Sequence, residues 1–289
     1  MKLRQVALVI AALLLAAACG TAANPSAGPS TGPASQGSIT PDSSQPLAAD
    51  SVATYRAYLV TNADLLVLRT TTFVNAVVAG KIAEARVLYV AAHQAYAQME
   101  PAAQTFGDLD PAINALETDV PAGGTLTGFH RLERALWQAN SLAGMAPIAK
   151  KLLADAIRLQ ALVKTVDLDP ATIANGAAGV LSDVSTSKLA GLEERYAHTD
   201  LSDIEGNVVG AQAAYNAVRP LVESRAATLA TTIDGGFEAI LAALQPFQKG
   251  TGYVLFTVLK PADTQAISLP IDAIADPLSQ VAAIVVSAQ

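Results

Sequence analysis

The chain has 289 residues, 52% of them apolar and 5% aromatic, with 15% charged, a net charge of −7 and a single cysteine. That length suffices for one or two domains with a substantial core. The acidic balance, with no Lys/Arg cluster, excludes the electrostatic footprint of a nucleic-acid binder, and one cysteine excludes both an internal disulfide and a cysteine-rich zinc site.

The apolar share comes mainly from Ala, Val and Leu. Ala and Leu are strong helix formers, so an all-α protein is predicted. Residues 1–18 begin with Lys2 and Arg4, continue through an apolar run from Val6 to Leu15, and end in three alanines before Cys19. This is a signal-peptide pattern, too short for a comfortable membrane span. The "LAAAC" sequence resembles a bacterial lipobox, which implies cleavage before Cys19, lipidation of its sulfur and a membrane anchor. Without Lys2 and Arg4, the remaining 16 basic and 25 acidic residues leave a charge of −9. Residues 19–46 turn to Gly, Pro, Ser, Thr and Ala without apolar periodicity and read as a flexible stalk.

From residue 47 to 289 the pattern is helical, punctuated by Gly and Pro. Helices are predicted over about 48–79, closed by Gly80, and about 81–105. Residues 106–126 form a long connection with a short helix begun by Asp110 and Pro111. Further helices are expected over about 127–140 and 147–166, then one opened by Asp169 and Pro170, and one capped by Thr199 or Asp200. Two more, about 224–247 and 269–286, bring the total to eight or so, which makes a bundle. Tyr96 to Pro101 and Tyr215 to Pro220 share one interval, a weak repeat that fits either two related bundles or chance in an Ala-rich chain.

The helix "TGFHRLERALWQAN" places His130 and Glu133 three residues apart, on one face. An H-x-x-E pair begins many metal sites, yet by itself also fits an ordinary helix surface. The three histidines, His93, His130 and His198, fall on separate segments, so neither H-E-x-x-H nor its inverse exists, and no G-x-S-x-G turn is present. Few imidazoles with many carboxylates suit iron better than structural zinc.

The segments "ARVLYVAAHQAYAQMEPAAQTFGDLDPAI", "TGFHRLERALW", "IANGAAGVLSDVSTSKLAGLEERYAHTDLSDIEGNVVGAQAAY" and "PIDAIADPLSQVAAIV" resemble the EfeO/EfeM family of iron-uptake proteins. Those proteins contain an imelysin-like domain, also classed as peptidase M75. The resemblance runs from about Leu47 onward and looks like the short form, without a cupredoxin domain. It implies an imelysin-like helical bundle in an extracytoplasmic lipoprotein of the cell envelope that binds Fe2+ or Fe3+, with zinc or copper as in vitro substitutes. The implied partners are an EfeU-type permease and an EfeB-type haem peroxidase, with no enzymatic role.

The family motif maps onto His130 and Glu133 as metal ligands, and the matched segments offer Glu100, Glu193 and Asp203 as further carboxylates. Ser202 and Leu126 stand where the family usually has bulkier aromatic groups, which bears on pocket shape rather than ligands. Each residue also has an ordinary structural reading. Glu100 before Pro101 fits a solvated carboxylate, Glu193 a partner of Arg195, His93 a surface histidine, His198 a helix-start residue packed on Tyr196, and Trp137 a core side chain. Two rival functions are an imelysin-like metallopeptidase and an alginate-like polysaccharide binder, the latter poorly matched to the acidic charge.

Overall fold

Helix-forming composition and Pro/Gly punctuation set the element order seen in the computed structural model, which describes residues 44–286. The expected signal segment, Cys19 and nearly all of the stalk lie outside the described residues. Helix α1 (Ser44–Val78) starts three residues before the expected boundary at 47. After Gly80, whose φ of +71° closes the turn, α2 runs over Ile82–Ala97. It ends earlier than the predicted 105 because the chain tightens into a 3-10 turn, Glu100–Thr105, at Pro101, which has no N–H to continue the α-helical ladder. Two short helices follow, α3 (Leu109–Asn114) and α4 (Gly128–Glu133). A π-helical turn, Arg134–Gln138, extends α4 and completes the predicted 127–140 segment.

Helices α5 (Ala146–Leu162) and α6 (Pro170–Thr186) come next. Asp169 caps α6 by accepting the backbone N–H groups of Ala171 and Thr172. The two helices expected on either side of Ser224 are present: the helical run Asp200–Leu244 (α7) carries Pro220 and breaks at Ala226 (φ −145°, ψ 59°), and its two arms fold back on one another, with Arg219 paired to Asp234 and Tyr215 stacked on Phe237. A minimal hairpin pairs β1 (Gln248–Lys249) with β2 (Gly252–Tyr253) antiparallel. The last predicted helix begins eight residues early, as α8 (Pro261–Ser279), and breaks before α9 (Val281–Val286).

Helix α1 packs on α2 and α5, while α6 and α8 pack on α7. One continuous core runs through these layers, with Leu59, Leu66, Phe73, Tyr89, Phe129, Tyr215, Phe237 and Ile274 among its members. Each such side chain contributes about 1.5–3 kcal/mol of apolar burial. Tyr96 and Tyr215 of the short repeat are both buried, although Pro101 opens a turn and Pro220 lies within a helix. By length and composition α7 and the α8–α9 stretch would pass for membrane spans. Their Leu201, Ile204, Ile267, Ile271 and Leu278 side chains are buried in the core. Gly176 brings α6 against the 100–105 turn, since a Cβ there would stand 1.8 Å from the Pro101 carbonyl oxygen. That contact fixes the turn that carries Glu100.

Candidate metal centre

Four segments converge on one buried cluster of titratable groups. On α2, Tyr89, His93 and Tyr96 follow at i, i+4 and i+7 and all turn inward. His93 is only 1% exposed, which corrects the surface reading of this residue. Its ring centroid lies 4.9 Å from Phe129, 5.6 Å from Tyr89 and 5.0 Å from His130, an aromatic enclosure that strengthens every charge interaction inside it.

Helix α4 starts where only glycine fits. Gly128 has φ +70°, and a Cβ would meet the Ile113 carbonyl oxygen at 2.1 Å. This close start turns His130 and Glu133 inward, and both are buried. Glu133 Oε2 lies 3.1 Å from His130 Nδ1, while Glu133 Oε1 accepts the backbone N–H groups of Tyr196 at 2.6 Å and Ala197 at 2.9 Å. The Glu133 contact assigns the imidazole proton to Nδ1. Nε2 of His130 is then left buried with no hydrogen-bond partner.

The turn-rich stretch between α6 and α7 supplies Glu193 and Glu194, and the first turn of α7 supplies Asp200 and Asp203. Glu194 accepts the Tyr89 hydroxyl on Oε1 at 2.9 Å and the Thr199 hydroxyl on Oε2 at 3.2 Å, and its N–H donates to Asp200 at 3.1 Å. Asn114 donates its Nδ2 to Glu100, so its Oδ1, 2.6 Å from His93 Nε2, accepts the imidazole N–H. His93 Nδ1 lies 2.8 Å from Glu194 Oε1 and 3.1 Å from Asp203 Oδ1, and offers a lone pair only once its proton is displaced. Neither His93 Nδ1 nor Asp203 Oδ1 has a partner in hydrogen-bond geometry.

Buried polar atoms are normally satisfied. Here His93 Nδ1, His130 Nε2, Glu193 Oε2, Asp200 Oδ2 and Asp203 Oδ1 are not, and an ion among them would supply the missing interaction. Three overlapping groups offer ligand atoms within 4.8 Å of one another: His93, His130 and Glu193; His93, Glu194 and Asp203; His130, Glu133 and Glu194. The first is a two-histidine, one-carboxylate set, a donor combination suited to iron(II).

The electrostatics suit a cation at this position. Burial pushes Glu194 up to about 7, against the pull of His93 and with the push of Asp203 and Glu133. Burial likewise takes Asp203 to about 6 despite His93, and Asp200 to about 7 with Glu194 adding to the shift. For His93, burial opposes the charged form, but Asp203 and Glu194 outweigh it and raise its pKa. Burial thus favours the protonated forms of Glu194, Asp203 and Asp200 until a cation replaces the protons, while, against the cost of burial, Lys188 and the two histidines hold Glu193 below its ordinary range.

The five predicted ligands thus fall differently. His130, Glu133, Glu193 and Asp203 reach the cluster. Glu100 does not join any of its three groups, and it is not solvated: its Oε1 accepts from Asn114, and its Oε2 from Lys188 at 2.6 Å and from the Asn207 amide. Glu193 pairs with Lys188, at 2.8 Å, rather than with Arg195. His198, with φ +57°, precedes α7 and accepts the Phe256 N–H on its carbonyl oxygen. Trp137 packs 5.3 Å from Tyr89 at the edge of the core. His93 and Glu194 complete the cluster without being singled out by motif. Their signals are the inward stripe Tyr89, His93, Tyr96 and the doubled Glu193–Glu194.

Two openings adjoin the centre. A pocket of about 30 Å³ touches Leu126, His130, Glu133, Glu193 and Tyr196. A cleft of about 540 Å³ is lined by Glu100, Asn114, Lys188 and Glu193, with Asp110, Asp119 and Asp183 around them. Glu193 borders both.

The sequence pattern of the imelysin family, peptidase M75, matches residues 51–281. The iron uptake system component EfeO of Escherichia coli K12 is 35% identical over 252 residues, which cover 85% of this chain and 67% of that protein. The proteins of the same description from Shigella flexneri and Shigella sonnei match to the same extent. The M75 match spans the helices that build the candidate centre, and with two thirds of EfeO aligned it makes this chain a member of the imelysin family.

Proposed function

We propose that this protein is an extracytoplasmic component of an iron-uptake system that captures an iron ion at the His93–His130–Glu193 centre and passes it to a membrane permease. The observation that carries this reading is that His130 Nε2, His93 Nδ1 and Glu193 Oε2 are buried without hydrogen-bond partners, in three residues whose ligand atoms come within 4.8 Å of one another. His130 and His93 would offer one lone pair each, fixed by the hydrogen bonds of Glu133 and Asn114 on their opposite nitrogens. Glu193, Glu194 and Asp203 would supply charge and oxygen ligands. The similarity to proteins named as iron uptake components supports iron as the cargo.

On this reading residues 1–18 direct export, Cys19 carries the lipid, 19–46 form the tether and 47–289 the imelysin domain. The permease and a haem peroxidase of the same system are the proposed partners. The family label also suggests a peptidase, but Glu133 is committed to His130 and two backbone N–H groups, leaving it no free oxygen to act as a base. The acidic lining of the large cleft likewise disfavours a polyanionic polysaccharide. The test is uptake of radioactive iron by cells lacking the gene. Restoration by the wild type and not by His130→Ala supports capture at this centre; equal restoration by both refutes it.

A further inference from the structure

Lys188 lies in the one-turn 3-10 segment Lys188–Ala190 after α6, and its side chain is only 11% exposed. Its Nζ stands 2.6 Å from Glu100 Oε2 and 2.8 Å from Glu193 Oε1. The same ammonium lines the 540 Å³ cleft. Glu193 is therefore shared: one oxygen holds Lys188, the other is buried without a partner, and the residue belongs to the group formed with the two histidines. Glu100 is braced for a cation as well, by Asn114 on one oxygen and Asn207 on the other. A carboxylate pair set around one positive charge is a cation position, and here the chain's own ammonium fills it.

We propose that Glu100 and Glu193 form a second cation position, between the acidic cleft and the two-histidine centre, which Lys188 occupies as a tethered counter-cation. An ion arriving through the cleft takes Glu193 from Lys188 and carries on to the histidines, and Lys188 remains on Glu100. The displaced ammonium keeps the floor of the cleft neutral once the ion has passed, so that a second ion does not follow the first. A strongly hydrated ammonium on a flexible stem suits this exchange, whereas a guanidinium would lock a carboxylate in a two-pronged pair. This inference rests on the reading of the histidine cluster as an ion site.

The test is titration of the full-length protein with ferrous iron in the absence of oxygen, for the wild type, His130→Ala, Lys188→Met and Glu100→Gln. Lys188→Met is expected to bind one more ion per chain than the wild type, because Glu100 and Glu193 are then free to take one. Binding by Lys188→Met with wild-type stoichiometry overturns the proposal. Should Lys188→Met not fold, Glu100→Gln decides. It leaves Lys188 held by Glu193 alone, so iron affinity is expected to fall about tenfold, a typical coupling between neighbouring sites, although Glu100 touches neither histidine. Unchanged affinity in Glu100→Gln overturns the proposal. Failure of the underlying reading looks different, since the wild type would then bind no ion, or His130→Ala would bind as the wild type does.

Discussion

Replacing Glu133 with Gln separates the orientation of His130 from the stability of the fold. Glu133 Oε1 accepts two backbone N–H groups, from Tyr196 and Ala197, and this demand fixes which end of a glutamine amide faces them. The oxygen must stay there, so the NH2 end turns to His130 Nδ1. Two donors cannot face one another, and the imidazole proton moves to Nε2, the nitrogen that the ion needs. Loss of such an orienting partner costs ten- to hundredfold in metal affinity, or about 1.4–2.7 kcal/mol. The fold loses only the charge on two hydrogen bonds, about 1 kcal/mol. Glu133→Ala would differ, stranding three buried donors at about 1–3 kcal/mol each and destabilising the bundle outright. Calorimetric titration with ferrous iron, beside thermal melts, reads both quantities. Wild-type iron affinity in a folded Glu133→Gln protein would refute the assignment of His130 Nε2 as a ligand.

His93→Ala removes the second imidazole and opens a cavity beside Phe129, so iron affinity should drop by at least about tenfold and the melting temperature should fall as well; unchanged iron binding would place the ion elsewhere. Gly128→Ala forces a Cβ into the Ile113 carbonyl oxygen. It should cost about 1–3 kcal/mol in chemical denaturation and weaken iron binding, because α4 can no longer start where it does. Asp169→Ala removes the α6 cap and should cost about 1 kcal/mol with no effect on iron. The hydrogen bonds from Thr172 and Ala171 hold the Asp169 carboxyl below its ordinary range despite the cost of desolvation. Its folded-state pKa is depressed, so the cap's contribution is present above the ordinary carboxylate range and is lost as pH falls through the folded value. Denaturation midpoints of wild type and Asp169→Ala should therefore converge in acid; a gap that persists at low pH would contradict the cap's charge dependence.

The helical class was legible because Ala- and Leu-rich composition and Pro/Gly breaks report backbone propensity directly. The break expected at about Ser224 was legible as well: it lies at Ala226, where the two arms of α7 fold back and Tyr215 donates to the Ala230 carbonyl between them. Boundaries failed elsewhere. The predicted extension of α2 to 105 overlooks that Pro101 cannot donate. Within the centre, His130 and Glu133 were legible because both lie on one helical turn. His93 was not, since it reaches the centre only through the packing of α2 on α4 and α7, and spacing within one helix does not report such contacts. Glu100 shows the converse. It sits in a segment that the family resemblance marks, yet both its oxygens are taken, one by Asn114 and the other by Asn207 and by Lys188, 88 residues further along the chain.

The central claim is that one ion bridges His130 and His93 with Glu193. Anomalous diffraction at the iron edge, from crystals grown with ferrous iron, locates the metal directly. The account predicts a peak within bonding distance of His130 Nε2, His93 Nδ1 and Glu193 Oε2. A peak confined to Asp110, Asp119 or Asp183 in the outer cleft, with none between the two imidazoles, would contradict it.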